Sequence, residues 1–156
     1  MIMKNEIDKV DKRILAELQK QGRISNVELS KRVHLSPSPC LERVKRLEKE
    51  GYIKYYRAVL DQQKLGYDMV AYVTVTLDKT THNSFKQFKE DIILVNEVIE
   101  CDMVAGGFDY LLKLLIKNME HYRNTLGIIS EISSVSQTHT YMVIEKIKEN
   151  ANIQLL

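Results

Sequence analysis

Along the first fifty positions apolar residues recur at three- and four-residue spacing, and along much of the remainder at two-residue spacing. Ile7, Val10, Ile14, Leu15 and Leu18 mark the buried face of a first helix, with Gly22 just past its end. Ser25-Asn26-Val27-Glu28 has the Ser-x-x-Glu form of a capping box, and Leu29 and Val33 give the short helix behind it an apolar stripe that ends near His34-Leu35. Ser36 then serves as N-cap and Pro37 as first residue of a third helix. This helix runs to about Glu50, buries Leu41, Val44 and Leu47, and presents Ser38, Glu42, Arg43, Lys45, Arg46 and Lys49 outward, with Gly51 closing it.

Beyond Gly51 the pattern changes. Tyr52 to Leu60 is rich in strand formers and reads as an extended linker, closed by the polar turn Asp61-Gln62-Gln63. Met69, Ala71, Val73, Val75 and Leu77 alternate with Tyr72, Thr74, Thr76 and Asp78, the signature of a strand covered on one face. Phe85, Phe88 and Ile92 return to helical spacing, and Glu97 to Val104 alternates again with Ile99, Cys101 and Met103 on one side. Ala105 to Asp109 forms a tight turn into a strand over Tyr110 to Ile116. Asn118 caps a helix over Met119 to Ile129, and the β-rich stretch Val135 to Ile147 closes the series. The order strand, helix, strand, strand, helix, strand is the ferredoxin-like split pattern, a four-stranded antiparallel sheet with two helices on one face.

The predicted class is therefore α+β: a three-helix helix-turn-helix domain with a linker strand over 7–68, then a ferredoxin-like βαββαβ domain over 69–156. The second face of that sheet has no third layer in the chain, so a second subunit is expected to cover it, giving a homodimer.

Charge refines this division. Residues 1–51 hold twelve Lys/Arg against eight Asp/Glu, a net +4, whereas residues 52–156 hold eleven against thirteen, a net −2. The basic excess sits with the helices. No stretch approaches the ~18 apolar residues of a spanning helix, and Met1 to Glu6 lacks the apolar core of a secretory signal, so a cytoplasmic protein without membrane contact is expected. Cys40 and Cys101 form no metal-ligand spacing and read as free, packed thiols; His34 has no partner at ligand spacing. No GxxxxGK[ST], HExxH, GxSxG or Cys/His nucleophile pattern occurs, so no catalytic residue, metal or cofactor is expected.

A short helix, a tight turn and a longer basic helix form the arrangement that places the second helix in the major groove of double-stranded DNA. Arg43 and Arg46 have forks that match guanine O6 and N7 or a phosphate, Lys31, Arg32, Lys45 and Lys49 suit phosphates, and Ser36 and Ser38 can donate to phosphate. A basic outer face is also what a merely solvated helix shows. A protein-interaction adaptor on the same fold would lack salt-dependent duplex binding.

The runs Ile14-Leu15, Leu18-Gln19-Lys20, Gly22 through Val33, Leu35-Ser36-Pro37, Pro39 through Val44 and Phe108 through Lys113 resemble the leucine-responsive, or Lrp/AsnC (feast/famine), family of transcription regulators, and the resemblance spans nearly the whole chain. It implies a homodimer that assembles further into octamers or similar rings, bent or wrapped promoter DNA, a nucleoid-associated location in the cytoplasm, and an amino-acid effector, leucine or similar, at subunit contacts. The family's effector turn has the form Gly-Asp-aromatic-Asp; Gly106, Phe108 and Asp109 match it and Gly107 replaces the first acidic residue. In such a turn glycine lets a ligand carboxylate approach the backbone and Asp109 accepts from a ligand ammonium. An ordinary hairpin turn is the competing reading of Gly106-Gly107. Met119, Thr138, Thr140 and Tyr141 are the next candidates for lining the pocket. A second departure, Ile132-Ser133-Ser134-Val135 where the family has a Pro-Gly turn, concerns one turn only.

Overall fold

A computed structural model describes residues 7–149 and 152–155. The reading of Met1 to Glu6 lies outside them. The chain divides into two compact units, Met1–Val59 with Lys148–Leu156, and Leu60–Ile147. The sequence placed the boundary at 68/69 and left the C-terminal tail with the sheet. The tail groups instead with the helices: Leu155 packs on their core, and the Gln19 carboxamide bonds Ile153 twice, Nε2 donating to its carbonyl (3.1 Å) and Oε1 accepting from its N–H (2.8 Å).

In the first unit α1 spans Lys9–Lys20, α2 Asn26–Arg32 and α3 Pro37–Lys49. Asp8 caps α1: its carboxylate accepts from the Val10 and Asp11 N–H groups, and the Asp11 carboxylate accepts from the Asp8 N–H, a reciprocal box built from two aspartates. At α2 only half of the expected box forms. Ser25 Oγ accepts from the Glu28 N–H (3.2 Å), but the Glu28 carboxylate turns to Arg32. Ser36 takes the N-cap position of α3 without a side-chain cap bond; Pro39 stands at the third helical position, where an N–H would otherwise meet the hydroxyl. Gly51 ends α3 in the left-handed region (φ 78°). Ile14, Leu15, Leu29, Val33, Cys40 and Leu47 form the core. Leu41, expected inside, is exposed, because Cys40 occupies the inward position one residue earlier.

The linker from Tyr55 to Leu60 forms no regular element and joins no sheet among the described residues, so the expected linker strand does not form in the single chain. A strand requires a hydrogen-bonded neighbour, and the chain supplies none here.

The second unit contains β1 (Met69–Leu77), α4 (His82–Ile92), β2 (Val98–Met103), β3 (Tyr110–Ile116), α5 (Met119–Ser130) and β4 (Val135–Met142). The sheet is antiparallel in the order β2-β3-β1-β4, the ferredoxin-like arrangement. Ala71, Val73, Val75, Leu77, Tyr110, Leu112, Leu114 and Ile116 point to the helix side and meet Phe88, Ile92 and Ile129. A register irregularity between Val98 and Glu100 puts Val98, not Ile99, in line with Cys101 and Met103. Cys40 is buried as expected, but Cys101 is exposed, on an edge strand. The Ile132 to Val135 turn closes without Pro-Gly, the Val135 N–H donating to the Ile132 carbonyl (2.9 Å). No helix of the described residues is long and apolar enough to cross a membrane.

Candidate nucleic-acid interface and effector turn

The junction of α1 with α3 is charged. Arg43 Nη1 donates to Asp8 Oδ2 (2.6 Å) and Asp11 Oδ1 (2.8 Å), and Arg46 Nη2 to Asp11 Oδ2 (2.5 Å). Asp11 is 1 % exposed. The Asp11 backbone N–H and the Arg43 guanidinium hold the Asp8 carboxyl down to about 2, and the same carboxylates raise Arg43 above its usual range. One pair of aspartates thus caps α1 and anchors α3. Arg32 is likewise occupied, by Glu17 and Glu28 (both 3.2 Å), and its contact with Gln21 ties α2 to the end of α1.

Arg43 and Arg46 remain partly exposed, as expected of an outward face, but these contacts add what the expectation lacked: their guanidinium groups are paired with Asp8 and Asp11. Both lie on the flank of α3 that faces α1, for a physical reason: a buried carboxylate requires a cation, and the guanidinium fork is the side chain long enough to supply it from the next helix. Ser38, Lys45 and Lys49 do point outward, Ser36 is exposed at the α3 start and Lys31 at the end of α2, and no carboxylate of the described residues holds Lys31, Lys45 or Lys49. The role of Asp8 and Asp11 was missed from sequence. The signal was an Asp-x-x-Asp pair, Asp8 and Asp11, each directly after an apolar residue at the start of the first stripe.

At the other candidate site the turn 104–109 is pinned to β1. The Val104 N–H donates to the Asp109 carbonyl, the Asp109 N–H to the Val75 carbonyl (both 2.9 Å), and the Leu77 N–H to Asp109 Oδ2 (2.8 Å). Asp109 therefore orients the turn and retains Oδ1 beyond that bond. Neither Gly106 nor Gly107 has a positive φ, and a Cβ at either would meet nothing within 4 Å. Packing within the chain does not require glycine there.

The remaining effector candidates do not gather around this turn. Thr138 and Thr140 lie on the helix side of β4, where Tyr122 Oη donates to Thr140 Oγ1 (2.8 Å), whereas Tyr141 pairs with Tyr72 on the opposite face. Met119 is exposed at the start of α5, past the far end of β3 from Asp109. Six strand steps separate Tyr110 from Ile116, about 20 Å at ~3.3 Å each. One pocket of a single chain cannot contain them all.

A three-helix unit with an outward basic helix, followed by a ferredoxin-like unit with a pinned turn, defines the class as a two-part DNA-binding regulator. The winged helix-turn-helix DNA-binding model matches residues 7–54 and the Lrp/AsnC ligand binding domain model residues 70–153. The leucine-responsive regulatory protein of Escherichia coli K12 is 46% identical over 146 residues, covering 93% of this chain and 89% of that protein; that of Klebsiella pneumoniae matches to the same extent. A transcriptional regulator of Neisseria meningitidis crystallised with L-Met has a TM-score of 0.92 at 32% identity, covering 96% of this chain and 97% of its own. LrpC of Bacillus subtilis has a TM-score of 0.80 at 31% identity, covering 92% and 98%. The chain belongs to the Lrp/AsnC family: it is a DNA-binding transcription regulator with an amino-acid ligand domain, not an enzyme.

Proposed function

We propose that this regulator acts as a homo-oligomer, binds duplex DNA sequence-specifically through α2 and α3, and answers an amino acid, leucine or a similar apolar one, to control amino-acid metabolism and related genes. It needs no other cofactor, and it works in the cytoplasm on the nucleoid. The observation that carries the effector part is the separation of Met119 from the Asp109 turn by the length of β3. Candidates on opposite ends and faces of one sheet cannot line one pocket of a single chain, which supports a ligand held at a contact between two copies. The helix-free sheet face, with Tyr72, Leu111, Leu115 and Tyr141, supports dimerisation, and further assembly to an octamer or similar ring follows the family pattern.

Fluorescence anisotropy with a labelled promoter duplex tests the reading across a salt series with and without leucine and methionine. Each phosphate neutralised contributes about −0.9 to the slope of log K against log salt. A steep slope and an apparent affinity shifted by leucine or methionine are expected; flat salt dependence refutes DNA binding, and indifference to both amino acids refutes the response to leucine or a similar apolar one.

A further inference from the structure

On a helix of 3.6 residues per turn, Ser38, Glu42, Lys45 and Lys49, spaced four, three and four apart, form one stripe on the side of α3 opposite buried Cys40 and Leu47. Arg43 and Arg46 flank this stripe and are committed to Asp8 and Asp11. Glu42 is exposed in the middle of it. Arg46, four residues on, is the partner a surface glutamate would ordinarily take, but its guanidinium is paired with Asp11, and no described cation pairs with Glu42.

An uncompensated carboxylate on the surface that approaches a polyanion is repelled by every phosphate. It is favourable only against a hydrogen-bond donor on a base edge, and in the major groove the cytosine N4 amine is the donor a carboxylate suits. Within one C·G pair that amine lies beside the guanine O6 and N7 acceptors, which suit an ammonium. Glu42 and Lys45, one turn apart, offer that acceptor and that donor. We infer that Glu42, with Lys45, is the specificity-determining element of α3 and reads a C·G pair in the major groove, while Arg43 and Arg46 stay off the base edges. The inference rests on the DNA-binding reading above.

Selection of bound sequences from a random duplex pool by the full-length wild type, Glu42→Ala and Glu42→Gln tests it, with anisotropy on the winning duplexes. The wild type should enrich a C·G pair in each half-site. Glu42→Ala should lose that preference by at least about fivefold while binding unrelated duplex more tightly, and Glu42→Gln should move it towards A·T, since a glutamine amide matches adenine N6 and N7. Identical preferences for all three proteins overturn the inference and leave DNA binding standing. A wild type without salt-dependent duplex binding overturns both.

Discussion

The two units hold themselves together by opposite means. In the sheet unit, Ala71, Val73, Phe88, Leu112, Leu114, Ile116 and Ile129 are wholly buried and apolar, and β1 lies between two partner strands. The helical unit has a smaller core and adds a charged junction in which Asp11, buried, receives two arginines. Apolar burial is non-directional and supplies stability; hydrogen-bonded ion pairs are directional, and their net contribution to stability is modest even where their geometry is good. The sheet unit is thus built to be stable, and the helical unit to hold one helix in one orientation against another.

Breaking the sheet unit should have the largest effect. Phe88 is wholly buried with its ring 4.3 Å from that of Tyr110. Phe88→Ala is expected to cost about 3–5 kcal/mol, read as a lowered urea midpoint in circular dichroism. Asp11→Asn should cost less, about 1–3 kcal/mol, because Arg43 keeps its pair with Asp8 and the released Arg46 is partly exposed and can turn to water. Its more informative effect is on DNA. Arg43 stays paired with Asp8, but the freed Arg46 guanidinium should raise affinity for unrelated duplex and steepen the salt slope by up to about one phosphate equivalent, seen by anisotropy. If Asp11→Asn matches Phe88→Ala in stability and leaves the salt slope unchanged, the contrast between the units fails.

Acid should also separate them. Asp8 has its carboxyl held at about 2 in the folded chain, against an ordinary 3.8. The unfolded chain therefore takes up the proton first, so the contribution is complete above pH ~4 and fades as pH falls from there through 2. Asp8 is half exposed, so the effect is small and weakened by salt. Thermal melts of the wild type from pH 7 to 2 should fall more steeply below pH 4 than those of Asp8→Asn, with the difference reduced in 0.5 M salt.

Much of this architecture was legible in the residues because local rules governed it. The alternation in β1, the helical spacing of Phe85, Phe88 and Ile92, and Pro37 after Ser36 each fix an element without reference to distant partners. What escaped were consequences of two elements meeting. Helical periodicity places Arg43 and Arg46 between the core and the outer stripe, and only the position of α1 decides that they turn inward to Asp11. The linker failed differently: Tyr52 to Leu60 has strand-forming residues, but strand formation depends on a neighbour that a single chain does not contain. The effector turn was placed by family resemblance; the bond from the Leu77 N–H shows in addition that Asp109 is structural before it is anything else.

The smallest expected effect concerns the turn joining α2 to α3. His34 is the sole non-glycine residue with positive φ among the described residues (59°), a conformation in which Cβ approaches the following carbonyl at a cost of about 1–2 kcal/mol. It is held there because the chain must turn sharply while the His34 N–H reaches the Lys31 carbonyl (3.2 Å) and the Leu35 N–H the Ser30 carbonyl (2.8 Å). Glycine removes the strain and adds about 0.5–1 kcal/mol of unfolded-state entropy to be lost. His34→Gly should therefore stabilise the chain by a few tenths to about 1 kcal/mol, measurable as a small rise in melting temperature. Affinity for duplex DNA should not change, since α2 and α3 keep their angle. A loss of stability would show that the imidazole, rather than the backbone bonds, holds the turn, and that the helical unit depends on side-chain contacts even where the chain merely changes direction.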